Sequence, residues 1–132
     1  LAHADHWQKE FTRVQKEPVF TGNIEDPYIW YQDGMFHAIM KDMSGEICGE
    51  HHGGIYATSR DCVHWDFAEP PLAYSRTVEW DDGQTLKMGF REHPQLLIEN
   101  GIPTHLFNAT GDGPGVGFNS CKGTWTMCTP IK

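Results

Sequence analysis

The sequence predicts an all-β protein made of two similar antiparallel units. Three observations lead there. The 132 residues include 14 glycines and 8 prolines, a density of chain breakers that favours many turns and few long helices. No segment carries a sustained helical stripe of apolar positions. The third observation is a repeat. The stretch EDPYIWYQDGMFHAI (25–39) and the stretch REHPQLLIENGIPTHL (91–106) both run acid, proline, apolar run, turn dipeptide, histidine. Pro27 and Pro94 are 67 positions apart, and each stands six residues before its turn, Asp33-Gly34 or Asn100-Gly101. Sequence self-similarity at a fixed period is the mark of repeated sheets that stack on one another.

The elements follow in chain order. Residues 1–20 read as an extended arm, with a short helical turn at 4–10 and a Pro-bounded strand. Residues 27–32 and 35–40 flank Asp33-Gly34, and aromatic or β-branched runs around a D-G dipeptide are a strong hairpin signal. GIYATS (54–59) reads as a third strand. In SRDCVHWDF the Ser-x-Asp turn can bond its own backbone and feed a short fourth strand. Four strands in about 45 residues is the size of a propeller blade. Residues 66–90 read as a long polar connection containing one short strand. PQLLIE and PTHLFNAT around Asn100-Gly101 form a second hairpin. GDGPGVG (111–117) is a loop, and GTWTMCTPI (123–131) is a last strand. The chain is therefore expected to be one partial propeller domain, with an arm at 1–19, a first blade near 20–70 and a second near 71–132.

Composition narrows the partners. With 18 acidic against 10 basic residues the net charge is −8. No Lys/Arg cluster provides the footprint that nucleic acid requires. No apolar run is long enough for a membrane helix. The opening LAHADHWQKEF lacks a signal-peptide core, and the N-terminus reads as processed or truncated. Cys48, Cys62, Cys121 and Cys128 form no C-x-x-C pair. They read as small thiols with room for one disulfide, and zinc is not expected.

The acids before the two hairpins suggest chemistry. The first strand of a propeller blade lines the central funnel, so Asp26 and Glu92 would face one pocket from two blades. Glycoside hydrolysis needs such a pair: one carboxyl gives a proton to the leaving oxygen, and another stays ionised beside the oxocarbenium-like centre. The longer Glu92 suits the donor and the shorter Asp26 the fixed charge. Acid-proline pairs also simply begin strands, so composition alone leaves both readings open.

EDPYIWYQDGMFHAIMKDM, GEHHGGIYATSRDCVHW, AYSRTVEWDDG and REHPQLLIENGIPTHLFNAT occur in order and resemble the C-terminal part of glycoside hydrolase family 43-like proteins. These stand with families 32 and 68 among the five-bladed β-propeller glycosidases. The resemblance spans roughly residues 10–132, and GTWTMCTPIK resembles that family's natural C-terminus. It implies that Glu92 is the general acid and that Asp26 orients substrate and tunes the acid. It makes Arg91 a holder of a substrate hydroxyl or of Glu92, and places His52 near the propeller axis beside a bound ion or water. Trp30, Lys41 and Asp42 become candidate sugar contacts. No cofactor is implied beyond that axial ion, and a secreted or periplasmic location is. Two positions depart from the pattern: Cys62 stands where a Gly is usual, and His93 where an Arg is more common.

Length is the larger departure, because 132 residues hold about two blades of five. The family's third carboxylate, the base or nucleophile, has no equivalent; Asp5 lacks the strand context. The expectation is therefore a glycosidase fragment that recognises carbohydrate and associates with copies of itself through exposed blade faces. The alternative is a non-catalytic carbohydrate-binding or oligomeric interaction module.

Overall fold

The computed structural model describes residues 1–113, 115 and 121–131. Its described residues contain eleven strands and no helix. The strands are β1 (Ala2–His3), β2 (Thr12–Arg13), β3 (Ile24–Gln32), β4 (Met35–Asp42), β5 (Gly53–Ser59), β6 (Asp66–Tyr74), β7 (Thr77–Glu79), β8 (Thr85–Lys87), β9 (Phe90–Glu99), β10 (Ile102–Gly111) and β11 (Thr124–Pro130). Every pairing is antiparallel. One sheet has the order β3-β4-β5-β6 and a second the order β11-β10-β9, while β1-β2 and β7-β8 are small two-stranded pairs. Of the two four-stranded blades expected, only the first has four strands, because the strands of the connection pair with each other.

Both turn dipeptides close two-residue hairpins. Asp33 and Gly34 have φ of 51° and 80°, and Asn100 and Gly101 have 53° and 81°. Two successive positive φ values match the right-handed twist of the flanking strands, which is why Asp-Gly and Asn-Gly sit there.

The prolines of the repeat mark something the sequence reading took for strand entries. In β3 the register passes from Glu25↔Lys41 to Tyr28↔Ile39, so Asp26 and Pro27 together face one residue of β4. In β9 it passes from Glu92↔Ala109 to Gln95↔Phe107, so His93 and Pro94 face one residue of β10. Each is a β-bulge inside a strand, with its first residue left-handed: φ is 56° at Asp26 and 50° at His93. A bulge suits proline, which has no N–H to give the ladder. The 67-residue repeat is thus a repeat of bulged hairpins.

Three expectations change. Residues 4–10 form no helix; Lys9 N–H donates to the His6 carbonyl at 2.9 Å in an isolated turn. So short a segment cannot recover the cost of helix nucleation without an apolar face to dock. The fourth strand is longer than expected, because β6 runs through Pro70 and Pro71. It is an edge strand, and its two prolines fall where its ladder to β5 is interrupted, between Ile55 and Ala57, the kind of place in a sheet that tolerates proline. The connection after it holds two short strands, β7 and β8. The expected loop at 111–117 lies partly outside the described residues.

The tight loop after β5 forms as its sequence suggests. Asp61 Oδ1 accepts from the Val63 and His64 amides at 2.9 and 2.8 Å. Cys62 takes a φ of 64°, a conformation that glycine adopts more cheaply.

The two larger sheets stack through Ile39, Tyr74 and Leu106, with Tyr28, Trp30 and Leu96 around them. The far side of the first sheet buries Ala38, Met40, Ile55 and Ala57 under Phe20, Ile47, Trp65 and Phe67. Tyr74 fits between the sheets only because its registered partner on β5 is Gly54; a Cβ there would strike the Tyr74 ring. Gly54→Ala is expected to cost about 1–3 kcal/mol through overpacking. Urea unfolding measures it, and an unchanged midpoint would show that the ring moves aside freely.

Candidate functional site

The stacking brings the two bulges together beside Lys41 of β4. Its ammonium lies 2.7 Å from Glu92 Oε2, 3.2 Å from Glu25 Oε2 and 3.5 Å from Asp26 Oδ2. The Lys41 side chain is only 5% exposed, against 16% for Asp26, 23% for Glu92 and 50% for Glu25. Burial pulls Lys41 down, but the hydrogen bond and charge of Glu92, the hydrogen bond of Glu25 and the charge of Asp26 leave it above its ordinary value. It is held as a cation.

The bulges also clasp each other directly. His93 Nδ1 lies 3.1 Å from Asp26 Oδ1, and the His93 amide donates to Asp26 Oδ2 at 3.4 Å. His93 Nε2 stands 3.9 Å from Glu92 Oε1. The prolines align Asp26 with His93 and Glu25 with Glu92, so the repeat's own equivalent positions meet across the sheets.

Each residue singled out in the sequence has a definite place. Asp26 and Glu92 share the Lys41 site. Lys41 is its centre and touches carboxylates. Arg91 lies beneath it, 5% exposed, donating through Nε to Asn108 at 2.9 Å, through Nη1 to the Ser75 carbonyl at 3.0 Å and through Nη2 to Thr129 at 3.0 Å. Its guanidinium also lies over the Tyr74 ring. Asn108 in turn reaches the Glu92 carbonyl at 3.4 Å. Arg91 therefore ties β9 to β10, β11 and the Ser75 carbonyl, and its guanidinium makes no direct bond to the Glu92 carboxylate.

Asp42 is fully buried and organises a loop. Oδ1 accepts from the Ser44 and Gly45 amides, and Oδ2 from those of Ile47 and Cys48. Burial pushes its carboxyl up, but these backbone donors outweigh that and hold it below its ordinary value. Trp30 lies away from the carboxylates, stacked on His37 at 5.0 Å and Tyr56 at 6.1 Å. It borders a groove of about 240 Å³ between the sheets. His52 has a φ of 62° and stacks on His51, and its buried Nδ1 has no hydrogen-bond partner. Burial, with the charges of His51, Lys41 and Arg76, outweighs Glu92 and lowers its pKa, which favours neutral imidazole. No group of three or more His, Cys, Asp or Glu among the described residues is placed to hold a metal ion.

Glu25 and His93 complete the site. The sequence gives Glu25 no role and predicts that His93 alters the pocket's charge without touching a catalytic carboxylate; instead its ring meets Asp26 at 3.1 Å, because the bulge turns it toward β3. The register of the repeat carried the signal: aligning the prolines puts an acid at both 25 and 92. A second groove of about 410 Å³ opens on the face of the β9–β10–β11 sheet, with Glu92 and His93 in its wall.

The chain matches no protein-family model, no curated protein and no solved structure. No helix among the described residues is long and apolar enough to cross a membrane.

Removing Lys41 leaves three carboxylates facing one another without their cation. Breaking a buried ion pair from one side costs about 3–5 kcal/mol, and the partial exposure of the acids puts Lys41→Met near about 3 kcal/mol. Urea unfolding checks this; a loss below about 1 kcal/mol would mean that water already screens the cluster.

Proposed function

We propose that this chain is the carbohydrate-recognising part of a propeller-type glycosidase, with Glu92 as proton donor and Asp26 as substrate orienter. In this reading it binds neutral oligosaccharides and does not cleave them alone. The observation that carries it is the convergence of Asp26 and Glu92, from different sheets, on one ammonium at 3.5 and 2.7 Å. Two carboxylates brought to one place by two equivalent hairpins is the arrangement glycoside chemistry uses. The stacking of two antiparallel meanders fits blades of a propeller, and the resemblance of the motifs points to five. The excess of carboxylate over cation favours neutral polyols over anionic ligands.

Cleavage asks for more. A donor needs a proton on Glu92 and a free path to the glycosidic oxygen, while Lys41 engages one of its oxygens. A base or nucleophile must also form the new bond at the anomeric carbon, and the third acid at the site, Glu25, is drawn to the same ammonium at 3.2 Å.

The test is saccharide binding by calorimetry, alongside release from chromogenic aryl glycosides. Wild type is expected to bind neutral oligosaccharides with no release above buffer. Glu92→Gln and Asp26→Asn should each weaken binding about tenfold, or about 1.4 kcal/mol. Absence of saccharide binding would sink the proposal. Turnover lost in Glu92→Gln would show a complete enzyme and overturn the non-cleaving part.

A second reading, self-association, rests on exposed apolar surface. Trp7 is 75% exposed and Phe11 57%, and β9 and β11 are the edges of their sheet. Unpaired edges and apolar patches drive association. Light scattering on a sizing column is expected to show a dimer or larger species; a clean monomer at micromolar concentration would exclude this reading.

A further inference from the structure

We infer that the groove on the open face of the β9–β10–β11 sheet is the seat of the sugar, and that it takes a neutral ligand of about disaccharide size. The inference rests on the proposed carbohydrate recognition and goes beyond it by naming the surface and the ligand class.

The register builds the groove. Phe90, Gly111 and Thr124 are paired across the three strands, and so are Glu92, Ala109 and Thr126. Residues paired across a ladder point to the same face, so these two rows share it. The opposite face of the same strands carries Leu106, which packs toward the first sheet, and Met127, which packs against Val78 and Met88. In each row the middle position is small. At Gly111 the Phe90 ring and the Cys121 sulfur close over the glycine, so the trough lies over Ala109, with Glu92 and His93 on one side and Thr124 and Thr126 on the other.

The volume is about 410 Å³, within the range of ligand pockets of about 300–1,000 Å³. Thr124 and Thr126 are exposed, and each hydroxyl can both donate and accept, as sugar hydroxyls do. Across the trough stands Glu92. Its Oε2 is engaged by Lys41 at 2.7 Å, while its Oε1 is 3.9 Å from His93 Nε2, beyond direct hydrogen bonding. That oxygen is the acceptor offered to a ligand hydroxyl. Glu25 and Asp26 lie just behind, around the same ammonium. A ligand carboxylate would meet these charges, whereas a neutral ring meets the Glu92 acceptor, the threonine hydroxyls, the His93 imidazole and the Trp125 ring.

The experiment fills the trough without touching the Lys41 site. Ala109→Trp places an indole on its floor, and Thr126→Trp does so from the exposed edge strand, where folding is not at stake. Ala73→Trp obstructs the other groove, between the sheets, which Ala73 borders. Far-UV circular dichroism and thermal unfolding confirm that each variant is folded. The probes are cellobiose, xylobiose and sucrose, with an aldobiouronic acid as the charged counterpart, followed by calorimetry and saturation-transfer NMR.

Wild type should bind at least one neutral disaccharide at least tenfold more tightly than the acid. Thr126→Trp and Ala109→Trp should weaken it at least tenfold, and Ala73→Trp should leave it unchanged. Full binding by folded Thr126→Trp and Ala109→Trp overturns the groove but leaves carbohydrate recognition standing. Loss confined to Ala73→Trp moves the ligand between the sheets and also overturns it. Preference for the acid overturns the ligand class. A wild type that binds no saccharide removes the recognition itself.

Discussion

A single buried ammonium organises this molecule's acidic centre. Lys41 lies on β4 of the first sheet and reaches Glu92 on β9 of the second. It thereby ties together strands that share no ladder. A lone ammonium buried in a protein would lose its proton or unfold its surroundings. Here the surrounding carboxylates hold it charged, and the ammonium in turn lets three acids crowd into one place. The stacking of the sheets and the assembly of the site are therefore one event. The apolar layer of Ile39, Tyr74 and Leu106 supplies burial, while the ion cluster restricts how the sheets are set against each other.

The bulges make that contact geometrically available. A regular strand alternates its side chains between two faces, and an extra residue shifts that alternation and re-aims what precedes it. In both hairpins the extra residue falls directly beside an acid, at Asp26 and at His93. Glu25 and Glu92 are consequently presented alike from the two sheets. The chain repeats a device for pointing acids, and the internal similarity of its sequence is the trace of that device.

How much of this could be read in advance depended on the range of the interaction. The hairpins were legible because Asp-Gly and Asn-Gly determine their turns locally, and the capped loop at Asp61 was legible for the same reason. The convergence of Asp26 and Glu92 was legible through the repeat. Three things were not. The bulges look like ordinary strand starts until the opposite strand supplies the register. Lys41 was assigned to sugar because a lysine in an acidic chain shows nothing about burial. Asp42 was assigned there too, although its neighbours Ser44, Gly45, Ile47 and Cys48 all turn their amides toward it. A loop wound around a carboxylate leaves almost no mark in composition. The length of β6 was hidden by Pro70 and Pro71, which argue against a strand except at an edge, and edges are a property of the assembled sheet.

Part of the backbone strain of the described residues lies at the ion cluster. Among the described residues, six that are not glycine have positive φ. Asp33 and Asn100 are accounted for by their turns, Cys62 by its tight loop, and Asp26 and His93 by the bulges they open. The two bulge positions touch the carboxylate site, and the sixth, His52, has a charge state that feels Lys41 and Glu92. Each such position costs of order 1 kcal/mol and persists only where the surroundings over-determine it. A clasp needed only for stability has cheaper solutions, since an apolar contact of similar volume serves as well as a buried ion pair. Strained backbone, a cation held charged by its carboxylate partners against burial, and a histidine with an unpartnered buried nitrogen together form a preorganised polar arrangement. Such an arrangement stabilises little by itself, and its polar groups are already aimed when a ligand arrives.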